Sequence, residues 1–219
     1  TVESASFSHD GARVVTSSFD GTARIWDVKS SQQIGVLQHT GWVWSASFSQ
    51  DGKRVVTASD DKTARIWDIE DIQKIKQIGV LEGHTDRVHS ALLSNDGKRV
   101  ITASYDRTAI IWDIEDIQKI KQINVLQHTE SVASASFSHD GKRVITASGD
   151  KTASVWSVES GKIISKIIGH KKETTSASFS HDGARVVTSS YDETAIIWEF
   201  VPRKETIEEL MAEKNQASQ

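Results

Sequence analysis

With 26 lysines and arginines against 30 acidic residues in 219, the chain carries a net charge of -4. That balance supplies no basic excess for a phosphate-binding surface, and no nucleic-acid partner is expected. Cysteine is absent, which excludes a disulfide framework and suits a reducing, cytoplasmic setting. No apolar run approaches the roughly 18 residues of a membrane span, and Thr1-Val2-Glu3 does not open a secretion signal, so no membrane association is expected.

Residues 4–27, Ser-Ala-Ser-Phe-Ser through to Arg24-Ile25-Trp26-Asp27, set a pattern that runs through the chain five times, with its tryptophan at Trp26, Trp67, Trp112, Trp156 and Trp198. The spacings of 41, 45, 44 and 42 residues fit propeller blades of about 40 to 45 residues, each a four-stranded sheet that needs neighbours to bury its faces. In the second repeat, β-branched runs at 43–49, 54–59, 63–68 and 78–81 are divided by turn residues, giving strands a, b, c and d. The a–b turn is an Asp-Gly pair, recurring at Asp10, Asp51, Asp96, Asp140 and Asp182, because glycine accepts positive φ and aspartate caps its own turn. Strand a uses small residues with one aromatic, so Phe7, Phe48, Phe137 and Phe179 are expected in the core, with Leu92-Leu93 as the substitute in the third repeat.

An antiparallel meander puts the a–b and c–d turns on one rim and the b–c and d–a turns on the other, called the top here. The c–d connections 68–78 and 113–123 are identical, and Ile69, Ile72 and Ile75 fall three apart. That spacing predicts one helical turn whose isoleucines pack under the blade, with a partner groove as the alternative. The expected blades cover about 1–37, 38–81, 82–126, 127–168 and 169–200, the last lacking its own strand d. In the tail, 201–219, an N-cap threonine precedes Ile207, Leu210 and Met211 at helical spacing, which predicts a short C-terminal helix over Thr206–Lys214.

Gly83-His84 and Gly169-His170 near repeat starts, a mid-repeat aspartate, and Trp26-Asp27, Trp67-Asp68 and Trp112-Asp113 at repeat ends resemble the WD-repeat β-propeller family over residues 1–200. His39 and His128 follow glutamine instead, and the last two repeats end Trp156-Ser157 and Trp198-Glu199. The resemblance implies an all-β propeller and a structural network in each complete repeat. Its sets are His39, Thr57, Asp61, Trp67; His84, Thr102, Asp106, Trp112; His128, Thr146, Asp150, Trp156; and His170, Thr188, Asp192, Trp198. A hydroxyl, an imidazole and a carboxylate also suggest a hydrolase, but an active site needs one preorganised place rather than a copy in every blade. No catalytic residue and no cofactor are therefore expected. His9, His139 and His181 lie in a–b turns of different blades, read as solvated, and no metal site is expected.

Because scaffold positions barely change, variation between repeats marks individuality. The residue before the network aspartate is Phe19, Asp60, Tyr105, Gly149 or Tyr191, and the residues flanking the first strand-a position include Trp42/Trp44 and Arg87/His89. In WD-repeat proteins such positions resemble the usual partner contacts. Trp42, Trp44, Phe19, Arg87, His89, Tyr105 and Tyr191 are accordingly the candidate binding residues for a protein or peptide, the alternative being that Trp42 and Trp44 cover the junction of blades one and two. The leading reading is a non-enzymatic interaction scaffold; the second is the sensor or regulatory region of a larger signalling protein, such as a nucleotide-driven switch or kinase. Since most WD propellers have seven blades, two more blades and upstream domains are expected outside this sequence, and self-association through open blade edges is expected of the fragment.

Overall fold

The turn chemistry builds the sheets. In the second repeat the Ser49 hydroxyl donates to Asp51 Oδ1 (2.6 Å) and accepts from Arg54 N (2.9 Å), while Lys53 N donates to Asp51 Oδ1 (3.0 Å). Gly52 closes the turn at φ 69°, a left-handed conformation that penalises a side chain. The same serine–aspartate–glycine lock recurs at Ser8, Ser94, Ser138 and Ser180. From these turns the β-branched runs return as antiparallel neighbours.

The computed structural model describes residues 1–200 and is all-β apart from one short turn. Blade one comprises β1 (Val2–Phe7), β2 (Arg13–Ser18), β3 (Thr22–Asp27) and β4 (Gln33–Gln38). Blade two has β5 (Val43–Phe48), β6 (Arg54–Ser59), β7 (Ala64–Asp68) and β8 (Lys76–Leu81). Blade three has β9 (Val88–Leu93), β10 (Arg99–Ser104), β11 (Thr108–Asp113) and β12 (Lys121–Gln127). Blade four has β13 (Val132–Phe137), β14 (Arg143–Ser148), β15 (Thr152–Ser157) and β16 (Ile163–Ile168), and blade five has β17 (Thr174–Phe179), β18 (Arg185–Ser190) and β19 (Ala195–Glu199). Strands follow chain order in every sheet, and the last sheet holds three strands among the described residues. The five a strands lie side by side, so sheet faces meet between consecutive blades. The tail helix expected over Thr206–Lys214 lies outside the described residues.

The core sits at these junctions. Val15, Ala23, Ile25 and Leu37 of blade one pack with Val43, Ala46, Val55, Trp67 and Ile69 of blade two, and equivalent residues form the other three junctions. The expectation for the strand-a phenylalanines needs correction. Phe7 is 67% exposed, since among the described residues no blade covers that side of blade one, and Phe48, Phe137 and Phe179 are half-buried where they pack against the core. Arg13 lies 5.5 Å from the Phe48 ring centre and Arg143 lies 5.0 Å from that of Phe179, each reaching across from the preceding blade.

In the first isoleucine-bearing connection the expected helical turn forms, but the packing of the isoleucines differs from expectation. A single 3-10 turn forms at Ile72–Lys74, capped by the Asp71 side chain accepting from Gln73 N. Its isoleucines cross the junction rather than lying under their own blade: Ile72 and Ile75 pack with Ile34 of blade one, and Ile117 and Ile120 pack with Ile78 of blade two. Glycines at Gly35 and Gly79 make room for them. A Cβ on Gly79 would fall 2.8 Å from Ile120 Cδ1. In blade three the matching position is Asn124, which faces the short connection of blade four and donates to Val158 O (2.8 Å). Gly79→Ala is expected to cost about 1–3 kcal/mol through overpacking. Adding Ile120→Val, which removes the clashing carbon, recovers part of that loss. Denaturant melts of both single variants and the double variant check this, and strictly additive effects would refute the contact.

Candidate functional site

Two sets of side chains meet at the top rim. The first is the repeated polar set. In blade two Trp67 Nε1 donates to Thr57 Oγ1 (2.9 Å), Thr57 pairs with His39 Nε2 (2.7 Å), and His39 Nδ1 reaches Asp61 Oδ2 (2.9 Å). With a neutral His39 donating from Nδ1 to the carboxylate, Nε2 is left to accept from the threonine hydroxyl, whose oxygen in turn accepts from the indole. Blades three, four and five repeat the pattern through Thr102, Thr146 and Thr188, with the His128–Asp150 contact longer at 3.4 Å. Blade one keeps only Trp26 to Thr16 (3.0 Å).

The histidines and threonines of the four complete sets are buried, Thr57, Thr102 and Thr146 completely. Burial holds the His39 and His128 imidazoles below their ordinary range despite the opposing pull of Asp61 and Asp150. Burial also works to raise Asp61, Asp106 and Asp150, but hydrogen bonds from the partner histidine and from Thr63, Thr108 and Thr152 outweigh it and keep these carboxyls low. The aspartates do a second job: Asp61 accepts from Thr63 N in the b–c turn and from Thr40 N in the d–a loop, and so ties the two top loops together. The set is thus an internal brace for those loops.

The second set is the varying residues. Each b–c turn is pinned to the d–a loop by one backbone bond, from Phe19 N to Thr1 O, Asp60 N to Trp42 O, Tyr105 N to Arg87 O, Gly149 N to Ser131 O and Tyr191 N to Glu173 O. Strand a then carries a β-bulge: Val43 pairs with Ser59 and Ser45 with Ala58, leaving Trp44 as the extra residue. Glu3, His89, Ala133 and Thr175 hold the same bulged position.

The bulge brings the aromatic residues of three blades into one ladder. Phe19 stacks on Trp42 (4.5 Å between centroids, 20°) and meets Trp44 edge-on (5.0 Å). Trp44 lies 5.1 Å from His89, and His89 lies 5.6 Å from Tyr105. The Arg87 guanidinium covers Tyr105 at 3.7 Å and Trp44 at 5.3 Å. His89 Nδ1 donates to Ala133 O (2.8 Å), and burial holds this imidazole low against that bond and the charge of Glu3. Trp42 remains 47% exposed. Six of the seven candidate binding residues therefore meet. Tyr191, 64% exposed, stands apart on blade five, because blade four offers only Gly149, Ser131 and Ala133 between it and Tyr105. The sequence reading did not include Asp60 among the binding residues; it accepts from Trp44 Nε1 at 3.4 Å.

Of the other histidines, His139 and His181 stand 4.0 Å apart at the opposite rim, with Asn95 donating to His139. Among the described residues no group of three or more metal-binding side chains converges, and no helix is long and apolar enough to cross a membrane.

Two outcomes test the brace. Thr146→Val leaves the His128 imidazole and the Trp156 indole without their shared hydroxyl and is expected to cost about 1–3 kcal/mol in thermal or urea melts. Protonation should act in the same direction. His39 and His128 bind protons more weakly folded than unfolded, so their stabilisation is complete above the ordinary value of 6.5 and is lost as pH falls through the folded-state values. The depressed aspartates add a further loss below 3.8. The melting temperature should therefore drop on acidification from neutrality, with a shallower slope in a His39→Gln/His128→Gln variant; an unchanged slope would dismiss the role of these imidazoles.

Comparison with known proteins agrees with this architecture. Residues 1–27, 31–68, 75–113, 120–157 and 161–199 each match the family model described as WD domain, G-beta repeat. Among curated proteins, none matches the chain. Repeats of this kind generally serve protein–protein interaction and are typically scaffolds rather than enzymes. With five matched repeats, the later four each taking in the last strand of one sheet and the first three of the next, and with tryptophan, threonine, histidine and aspartate linked in four of five cases, the chain belongs to the WD-repeat family.

Proposed function

We propose that this protein is a non-enzymatic interaction platform that takes a protein or peptide partner on its top face, in a cytoplasmic setting. The observation that carries this reading is the ladder from Phe19 to Tyr105. It gathers six aromatic or cationic side chains from three blades, all at positions where the repeats differ. Tryptophan, tyrosine and arginine are the residue types that dominate binding energy at interfaces, because they present large area with few rotatable bonds.

The chemistry favours a partner with apolar or aromatic side chains. Arg87 is already stacked on two rings, so its charge is partly engaged, whereas the outer part of Trp42 is open. Asp60, exposed beside Trp44, supplies an acceptor at the ladder's edge. The polar sets beneath supply rigidity, since Asp61 and Asp106 each anchor the loop that carries Trp42 or Arg87.

Trp42→Ala with Trp44→Ala is expected to abolish partner binding while the fold survives, each anchor costing about 2 kcal/mol or more. Trp67→Ala is the contrasting variant and should destabilise blade two by roughly 3 to 5 kcal/mol. A peptide array probed with wild type and the double variant, alongside circular dichroism melts, decides the matter. Peptides bound equally by both proteins would remove the ladder as the binding site.

A further inference from the structure

Two positions at the top of each blade are joined by the backbone bond between its b–c turn and its d–a loop: Asp60 and Trp42 in blade two, Tyr105 and Arg87 in blade three. In blade three the pair is complete in itself. The Arg87 guanidinium lies over the Tyr105 ring at 3.7 Å and reaches the Trp44 ring at 5.3 Å, so the chain shows how a cation seats on these aromatic faces. Blade two carries a ring and a carboxylate at the same two positions, and no cation.

The carboxylate of blade two differs from those around it. Asp61, one residue on, pairs with Arg65 (3.0 Å) and His39 (2.9 Å), and Asp20 in the blade-one turn pairs with Arg24 (2.8 Å). Asp60 is exposed; among the described residues it forms no ion pair, its Oδ1 accepts from Trp44 Nε1 at 3.4 Å, and its Oδ2 accepts no hydrogen bond. Gly41 lets it sit close to Trp42, since a Cβ there would fall 3.2 Å from Asp60 Cβ. Trp42 has Phe19 stacked on it (4.5 Å) and Trp44 inclined to it (6.1 Å, 65°), yet it remains 47% exposed, and no cation of the described residues lies over its ring. An open indole beside an unpaired carboxylate complements a group that is both flat and positively charged. An ammonium meets only the charge, whereas a guanidinium lies flat on the ring while its N–H edge donates to the carboxylate.

We propose, building on the top-face reading above, that Trp42 and Asp60 receive an arginine side chain of the partner peptide, its guanidinium stacked on the open indole and its N–H groups donating to Asp60. Arg87 sets the direction of docking. A cation is held at the Tyr105 end of the ladder and an unpaired carboxylate stands at the Trp42 end, so the peptide lies with its arginine toward blade two, and the reverse orientation brings like charges together.

Four synthetic peptide libraries test this, each with one central position fixed as arginine, lysine, citrulline or glutamate and the flanking positions randomised among apolar and aromatic residues. Citrulline keeps the flat shape of arginine and removes its charge. In fluorescence anisotropy, wild type is expected to bind the arginine library about tenfold or more tightly than the citrulline library, with lysine between them. Asp60→Asn should remove most of that advantage while leaving the citrulline affinity unchanged, and Asp60→Lys should turn the preference toward glutamate. Both variants should melt as wild type does, because Asp60 is exposed and the other repeats place Phe19, Tyr105, Gly149 or Tyr191 at this position. Equal binding of arginine and citrulline, lysine binding as tightly as arginine, or an arginine advantage that survives Asp60→Asn overturns the proposal. Citrulline binding as tight as arginine binding, yet lost in Trp42→Ala with Trp44→Ala, leaves the top-face reading standing while this one falls. Binding that persists in that double variant, or no binding by any library, removes both.

Discussion

A sheet in this protein has no interior of its own. Its valines, alanines and isoleucines become core only when the next sheet lies against them, as the contrast between Ile66, fully buried at a junction, and Ile197, at the equivalent position on a face that no described blade covers, makes plain. Burying one such side chain contributes about 1.5–3 kcal/mol, so a junction with several of them is a large share of what any domain can draw on. Stability therefore comes in increments of neighbour contact, and the polar contacts follow the same logic, with serines and arginines reaching across junctions to backbone oxygens. The small residues of strand a are a consequence too: Ala46, Ala91, Ala135 and Ala177 are buried where neighbouring a strands run closest together.

That dependence on neighbours explains what could be read from sequence and what could not. The repeat period, the Asp-Gly turns and the His–Thr–Asp–Trp sets are local or strictly periodic, and each fell where the pattern put it. Phe7 did not, because its sequence surroundings nearly match those of Phe48; among the described residues the preceding blade covers Phe48 and none covers Phe7. The pairing of Gly35 with Ile75 and of Gly79 with Ile120 lies across junctions and has no local marker. A signal existed all the same: the two repeats followed by a long isoleucine-bearing connection have glycine in strand d, and the one followed by a short connection has Asn124. Thr174 is a further case. It replaces a valine present in the other four repeats, and its buried hydroxyl finds no partner among the described residues.

The candidate site was half legible for a related reason. Comparing repeats picked out Trp42, Trp44, Phe19, Arg87, His89 and Tyr105, yet simple strand alternation misjudges how Trp44 and His89 are presented. The bulge at that position is shared by Glu3, Trp44, His89, Ala133 and Thr175, five residue types with nothing chemical in common, so backbone geometry alone reveals it. Tyr191 satisfied every sequence criterion and still stands alone, since membership of the ladder depends on the blade next door.

Rigidity links the two halves of the top face. The buried threonine hydroxyls hold the histidines, the histidines orient the aspartates, and the aspartates fix the loops from which the ladder residues rise. Above them, each ladder residue is steadied by one from an adjacent blade: Phe19 by Trp42, Trp44 by His89, and His89 by the carbonyl of Ala133. Association ordinarily loses about 0.5–1.5 kcal/mol for every long side chain it must immobilise. Side chains already held before a partner arrives avoid most of that loss. The repeats thus divide the labour within about 40 residues, with invariant polar groups setting the loops and the few varying positions above them free to define the surface.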